Sequence, residues 1–175
     1  MPHLMESTMY EVAQVFLLPT LALIAALFVY AFWCLGEFAM LAWRRRGGGG
    51  RPLVAADAAA GGLGEDELDL LAHQLLEAPR IASRVTPMLG LVATMIPMGP
   101  ALKSLSDGNL AQVSHNLTVA FSAVILALIA ASVTYWVANV RRRWLAEELV
   151  AIQRGRMAEA EAGAGAVRTP AGQGA

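Results

Sequence analysis

A long apolar run opens the chain, from Val15 to Trp43, "VFLLPTLALIAALFVYAFWCLGEFAMLAW". It exceeds the roughly 20 residues needed to cross a bilayer core. In lipid the backbone must satisfy its own hydrogen bonds, so such a run is confined to a helix. Glu6 and Glu11 precede it and no Lys or Arg does, so it lacks the basic start of a cleaved signal and reads as a retained span. Two further runs, Thr86 to Leu105 and Asn116 to Val140, are also long enough to cross. With 57% hydrophobic and 15% charged residues, the composition agrees with a membrane protein. The expected fold class is therefore all-α, with three transmembrane helices, spans two and three continuing beyond the bilayer.

Between the spans the sequence changes character. "RRRGGGGRP" and "LVAADAAAGGLG" read as a basic stop and a flexible linker. "EDELDLLAHQLLEAPRIASR" reads as a short amphipathic helix with an acidic start, Leu68, Leu71, Leu75 and Leu76 on one side, and an end at Pro79. "SLSDGN" is a tight turn centred on Asp-Gly, which makes spans two and three a hairpin. The resulting organisation is an outer segment 1–14, span 15–43, linker 44–85, span 86–105, turn 106–113, span 114–140, helical extension 141–158 and a disordered tail 159–175. Leu145, Leu149 and Ile152 give the extension its helical spacing.

All thirteen basic residues except Lys103 lie between Arg44 and Arg84 or from Arg141 onward. The positive-inside tendency then places the linker and C-terminus in the cytoplasm and the N-terminus and hairpin turn outside, an N-out/C-in topology. Trp43 and Trp144 adjoin the arginine triplets, where an interfacial aromatic belt is expected.

Small and hydroxyl residues carry the remaining information. In span three, Ala120, Ala123, Ala127, Ala130, Thr134 and Ala138 recur at three and four, a face suited to close helix packing in lipid. Ser114, Thr118 and Ser122 recur at four on a neighbouring edge. They read either as hydroxyls bonded back to their own helix or as a polar lining. In span two, Gly90, Thr94, Pro97 and Ala101 form a narrow small-residue face, with Thr94 its only polar side chain. Pro87 suits the first turn of a helix capped by Thr86, whereas Pro97 and Pro100 withdraw donors from Ala93 and Ile96. The consequence is either a packing kink or backbone that lines a wet or protein-filled space.

No carboxylate lies in the apolar interior of spans two or three. Glu37 sits about two turns before Arg44, within reach of headgroups or water. Cys34 is the sole cysteine and reads as a small buried side chain; His73 and His115 read as surface residues. No phosphate-cradling loop, nucleophile elbow or metal cluster is evident, so neither an enzyme nor a cofactor or metal site is expected. Nucleic-acid binding lacks a basic patch on a folded domain.

"PMLGLVATMI", followed after a short turn by "AFSAVILALIAASVTYWVANVRRR", resembles the MotA/TolQ/ExbB proton-channel family, in particular its three-span ExbB/TolQ branch. The family pattern is an "LGLLGTV"-like entry to span two and "AL..TA.GL..A" in span three, and the resemblance covers roughly a third of the chain, Thr86 to Trp144. It implies a multi-pass subunit of the bacterial inner membrane, forming a homo-pentamer around a dimer of a single-span ExbD/TolR-like partner. That partner brings a membrane aspartate, and proton flow drives work on an envelope component, such as energised uptake. The ion-path candidates are Thr94, matching the family threonine of span two, with Ser122 and Thr118; Gly90, Pro97 and Pro100 shape packing. The span-three threonine falls on Val124, an acidic position on Val119, and the glycine before the span-two threonine on Ala93. These departures leave open a non-conducting scaffold of the same complex, beside a membrane-anchored regulator.

Overall fold

The computed structural model describes residues 8, 11–12, 14–47 and 49–167, with side chains to 163. Helix α1 spans Leu17–Arg46, α2 Pro52–Ala60, α3 Glu65–Ser106 and α4 Leu110–Val167. No strand occurs among the described residues. Three of these helices, α1, α3 and α4, are long and apolar enough to cross a membrane. Pro19 falls in the first turn of α1, where a missing N–H costs no helical bond. At the other end Arg44, Arg45 and Arg46 occupy the last turn and complement the helix dipole.

Helix α3 differs from its expected form. It runs unbroken through Pro79, Pro87, Pro97 and Pro100, so the amphipathic segment does not end at Pro79 and span two does not start afresh at Thr86. Thr86 is 1% exposed and donates its hydroxyl to Ala82 O at 2.6 Å, inside the helix, rather than capping one. Tertiary packing explains the continuity. Leu68, Ala72, Leu76, Pro79, Ala82, Thr86, Gly90, Ala93, Pro97 and Ala101 form one buried stripe at steps of three and four along the whole helix. Each proline keeps helical φ and forfeits a single bond, while the stripe holds both flanking turns in place. At the start, Glu67 accepts from the Gly64 N–H at 3.0 Å, satisfying one orphan donor.

The Asp107-Gly108 turn reverses the chain as expected, with Gly108 at φ +71°, where a side chain would be strained. Asn109 accepts from Gln112 N at 3.2 Å and caps α4. α3 and α4 pack antiparallel along nearly their full common length. At 42 and 58 residues they measure roughly 63 and 87 Å, against about 30 Å of hydrocarbon core, so both project well past the bilayer on the side away from the turn. α1 lies parallel to α4: Ile24 packs with Ala123 and Ala127, Phe38 meets Trp136 and Trp144, and Arg45 reaches Glu148.

Two low-complexity stretches prove helical. α2 forms inside the expected linker because Pro52 presets the first turn, alanines favour propagation, and Leu53 is buried with Leu68, Ala72, Leu76, Leu145 and Ile152. Likewise α4 continues to Val167, beyond position 159 where the tail was expected to lose structure. Elongating an existing helix through Ala and Glu needs no new nucleus. Residues 168–175, and most of 1–14, lie outside the described residues.

At Gly90 the two long helices come closest. A Cβ built there would meet the Ala127 Cβ at 2.9 Å and Val124 Cγ2 at 3.4 Å. Gly90→Ala should therefore cost about 1–3 kcal/mol by overpacking, read as a lower melting temperature in detergent, and Ala127→Gly should restore most of it. Equal melting of Gly90→Ala and wild type would show that the helices do not need this approach. Pro97→Ala returns a donor to Ala93 O and should straighten α3, lengthening the distance between spin labels at Leu91 and Leu105. An unchanged distance would mean Pro97 introduces no bend.

Candidate functional site

The α3–α4 seam is built from small side chains. Ala93, Ala123 and Ala127 are buried with Ile24 of α1, and Leu21 and Leu89 pack at their margin. Ala120, Ala130 and Thr134 continue the buried face of α4. Ala138 is only half-buried and Val137 takes the inner position, because strict steps of three and four drift around a helix of 3.6 residues per turn. On α3, Gly90, Pro97 and Ala101 face inward. Thr94, the hydroxyl of that face, sits half-buried at its edge, and Ala93 takes the centre.

Every ion-path hydroxyl bonds within its own helix. Thr94 donates to Leu91 O at 2.7 Å, Thr118 to Ser114 O at 2.8 Å and Ser122 to Thr118 O at 2.8 Å. The proton is thus spent on the backbone, and the oxygen lone pairs remain for a donor arriving from outside. Thr94 consequently gives nothing to Ala93 O or Ile96 O, the carbonyls released by Pro97 and Pro100.

Thr94 and Ser122 lie at the same depth, since Gly90 faces Val124 and Ala127 and one turn forward on α3 is one turn back on α4. They do not meet. Val124 lies against the Gly90 edge, and Ser122, two residues earlier, points about 200° away around α4. Thr118 and Ser122 are both exposed on that far side. Nearer the hairpin, Asn116 Nδ2 is buried without a partner while Gln112 donates to its oxygen at 3.3 Å.

A polar clasp occupies the opposite end. Glu148, 2% exposed, accepts from Arg45 Nη2 at 2.7 Å and from the Leu53 N–H at 3.0 Å, tying α1, the first turn of α2 and α4 to one carboxylate. Arg45 also stacks over Trp144 at 4.6 Å, and Phe38 stacks on the same indole at 4.9 Å. Trp144 is therefore partly enclosed, whereas Trp43 is exposed as a membrane-belt residue would be. Further along, Asp57 pairs with Arg156 at 2.7 Å and accepts from the Leu63 N–H at 2.7 Å. Glu37 is half-exposed, receives the Trp33 indole N–H at 3.2 Å and faces Arg141 at 3.5 Å. Burial raises the Glu148 carboxyl above its ordinary value, the Leu53 N–H and Arg45 opposing that shift only in part.

Sequence reasoning read Leu145, Leu149 and Ile152 in this region and passed over Glu148. The signal was present: Glu148 lies three past Leu145 and four before Ile152, a charge in register with the apolar stripe. His73 and His115 are exposed, Cys34 is buried, and no metal-binding cluster exists among the described residues.

The profile of the MotA/TolQ/ExbB proton channel family matches residues 67–154. The match takes in the packed length of α3, the turn and α4 through the clasp, and leaves out α1 and α2. No curated protein and no solved structure gives a significant match.

Glu148→Ala strands both Arg45 and the Leu53 N–H and should cost on the order of 3 kcal/mol, read by thermal melting. Glu148→Gln supplies the pH test. Because the carboxyl value is raised in the folded chain, its favourable contribution is complete below the ordinary 4.5 and is lost as pH rises through the raised value. Wild type should accordingly lose melting temperature relative to Glu148→Gln on going from acid toward neutral pH. A constant gap would remove Glu148 from the pH response.

Proposed function

Since the chain belongs to the MotA/TolQ/ExbB proton channel family, we propose that it is the multi-pass subunit of a proton-driven motor in a bacterial inner membrane. Its topology in this reading is N-out/C-in, with the projecting halves of α3 and α4 and the clasp in the cytoplasm. The chain assembles as a homo-pentamer around a dimer of a single-span ExbD/TolR-like partner. It performs no enzymatic reaction and binds no cofactor.

One observation carries the mechanism. The apolar parts of α3 and α4 contain no carboxylate, yet offer hydroxyl oxygens whose own protons are already bonded to backbone. Such oxygens accept from a passing hydronium or a protonated acid and cannot themselves store a proton at ordinary pH. The titrating group must then come from the partner, whose membrane aspartate alternates between ionised and neutral forms. Proton movement turns one component within the other, and the partner transmits work to the envelope, for energised uptake or transport.

A specific feature favours a second reading, a scaffold that does not conduct. Val119 and Val124 stand where conducting members carry polar residues, and Val124 is closed against Gly90. Reconstitution with the partner in liposomes separates the two. A hydrogen bond to a charged group contributes about 1.5–3 kcal/mol, so Thr94→Val should reduce proton flux by about tenfold or more. Unchanged flux removes Thr94 from the path, and an assembled wild-type complex without flux establishes the scaffold.

A further inference from the structure

Where α3 and α4 leave the apolar zone, an open cleft of about 430 Å³ lies between them, with Arg80 and Arg84 of α3 and Tyr135 and Arg142 of α4 in its lining. Three guanidinium groups share it and no carboxylate lines it. Four arginines nearby are matched, Arg45 by Glu148, Arg141 by Glu37, Arg143 by Glu147 and Arg156 by Asp57. Arg44, Arg46, Arg51 and Arg154, which like these form no part of the cleft lining, have no ion pair among the described residues. None of Arg80, Arg84 and Arg142 forms an ion pair among the described residues. Asp69, in the adjoining hollow, faces His73 at 3.6 Å. Convergent like charges repel unless an anion sits among them, and guanidinium groups suit phosphate by their forked donors.

Depth identifies the kind of anion. Arg80 and Arg84 lie within two turns before the apolar run of α3, and Arg142 lies within the first turn after that of α4, which places the cleft at the level of lipid headgroups. From it an apolar track leads into the membrane. Arg84 is followed at steps of seven by Leu91 and Met98 on α3, and Tyr135 by Leu128 and Phe121 on α4; Leu91, Met98, Tyr135, Leu128 and Phe121 are all exposed. A charged cleft above an exposed hydrocarbon track matches an amphiphile better than an acidic peptide, which would leave the track uncovered.

We propose that this cleft binds the phosphodiester headgroup of an anionic phospholipid, with its acyl chains along the Leu91, Met98, Leu128 and Phe121 track. The site is independent of the ion path and holds whether or not the assembly conducts.

The full chain, purified in detergent, is titrated with phosphatidylglycerol, phosphatidylcholine and glycerol phosphate, binding being read by native mass spectrometry and thermal shift. Phosphatidylglycerol should bind about tenfold or more tightly than phosphatidylcholine, and glycerol phosphate should not compete at equal concentration. The combined Arg80→Gln, Arg84→Gln, Arg142→Gln variant should lose that preference, whereas Arg154→Gln, outside the cleft, should keep it. If the triple glutamine variant does not fold, the single Arg84→Gln and Arg142→Gln variants decide: each should weaken the preference, and an unchanged preference in both overturns the proposal. Equal binding of the two lipids by wild type overturns the proposal, as does an unaffected triple variant. Effective competition by glycerol phosphate overturns the lipid as the source of the phosphate. A glutamine variant that binds lipid normally but no longer co-purifies with its membrane partner assigns the cleft to an acidic protein segment instead, and the lipid proposal falls.

Discussion

The approach of α3 to α4 at Gly90 sets the rest of the architecture. In lipid, apolar side chains gain nothing by leaving their surroundings for one another, so helices associate through contact and close packing. Gly90 against Val124 and Ala127, continued by Ala93 and Ala123, brings two backbones together where larger residues would hold them apart. That proximity also makes the four prolines of α3 tolerable. Pro79 and Pro97 themselves lie in the buried stripe, filling space with ring carbons, and the turns on either side are held by alanine contacts. A helix with the same prolines in lipid alone would expose its released carbonyls to hydrocarbon.

Beyond the bilayer the physics reverses, and the structure changes its means accordingly. Water is present, so leucines can be driven together, and Leu53, Leu68, Leu76, Leu145 and Ile152 form a cluster of ordinary core type. Into its edge the chain sets one buried carboxylate. Glu148 pairs with Arg45 at the end of α1 and satisfies an orphan N–H at the start of α2, so one carboxylate joins two helix termini. A buried ion pair of this kind adds little net stability over apolar packing. Its value is register: only one placement of α1 and α2 along α4 satisfies both donors.

The sequence made the three apolar spans, the Asp-Gly reversal and the small-residue face of α4 legible, because each rests on a local rule of length, turn chemistry or periodicity. What it concealed depended on distant partners. Pro79 read as a terminator because proline weakens an isolated helix, and only α4 alongside makes α3 continuous. "LVAADAAAGG" read as linker because nothing within it reveals that Leu53 has a core waiting or that its N–H meets Glu148, far along the chain. Thr94 and Ser122 both read as ion-path hydroxyls. Their depths agree, but the two-residue offset between Ser122 and Val124 turns them to different sides, a relation fixed only once Gly90 had located the seam.

That separation bears on how such a subunit divides its labour. A single α3–α4 pair presents Thr94 near one side of the seam and Thr118 with Ser122 on the far side of α4, so these hydroxyls form no continuous path through one copy among the described residues. In a ring of copies, the far side of one α4 can turn toward a neighbour or toward a central element, and hydroxyls that are apart within a subunit can flank the same space between subunits. A path assembled in that way is wet only where copies meet. In the proposed assembly the seam of Gly90, Ala93, Ala123 and Ala127 then serves close packing, and α3 and α4 form a wall against which the proposed partner would move.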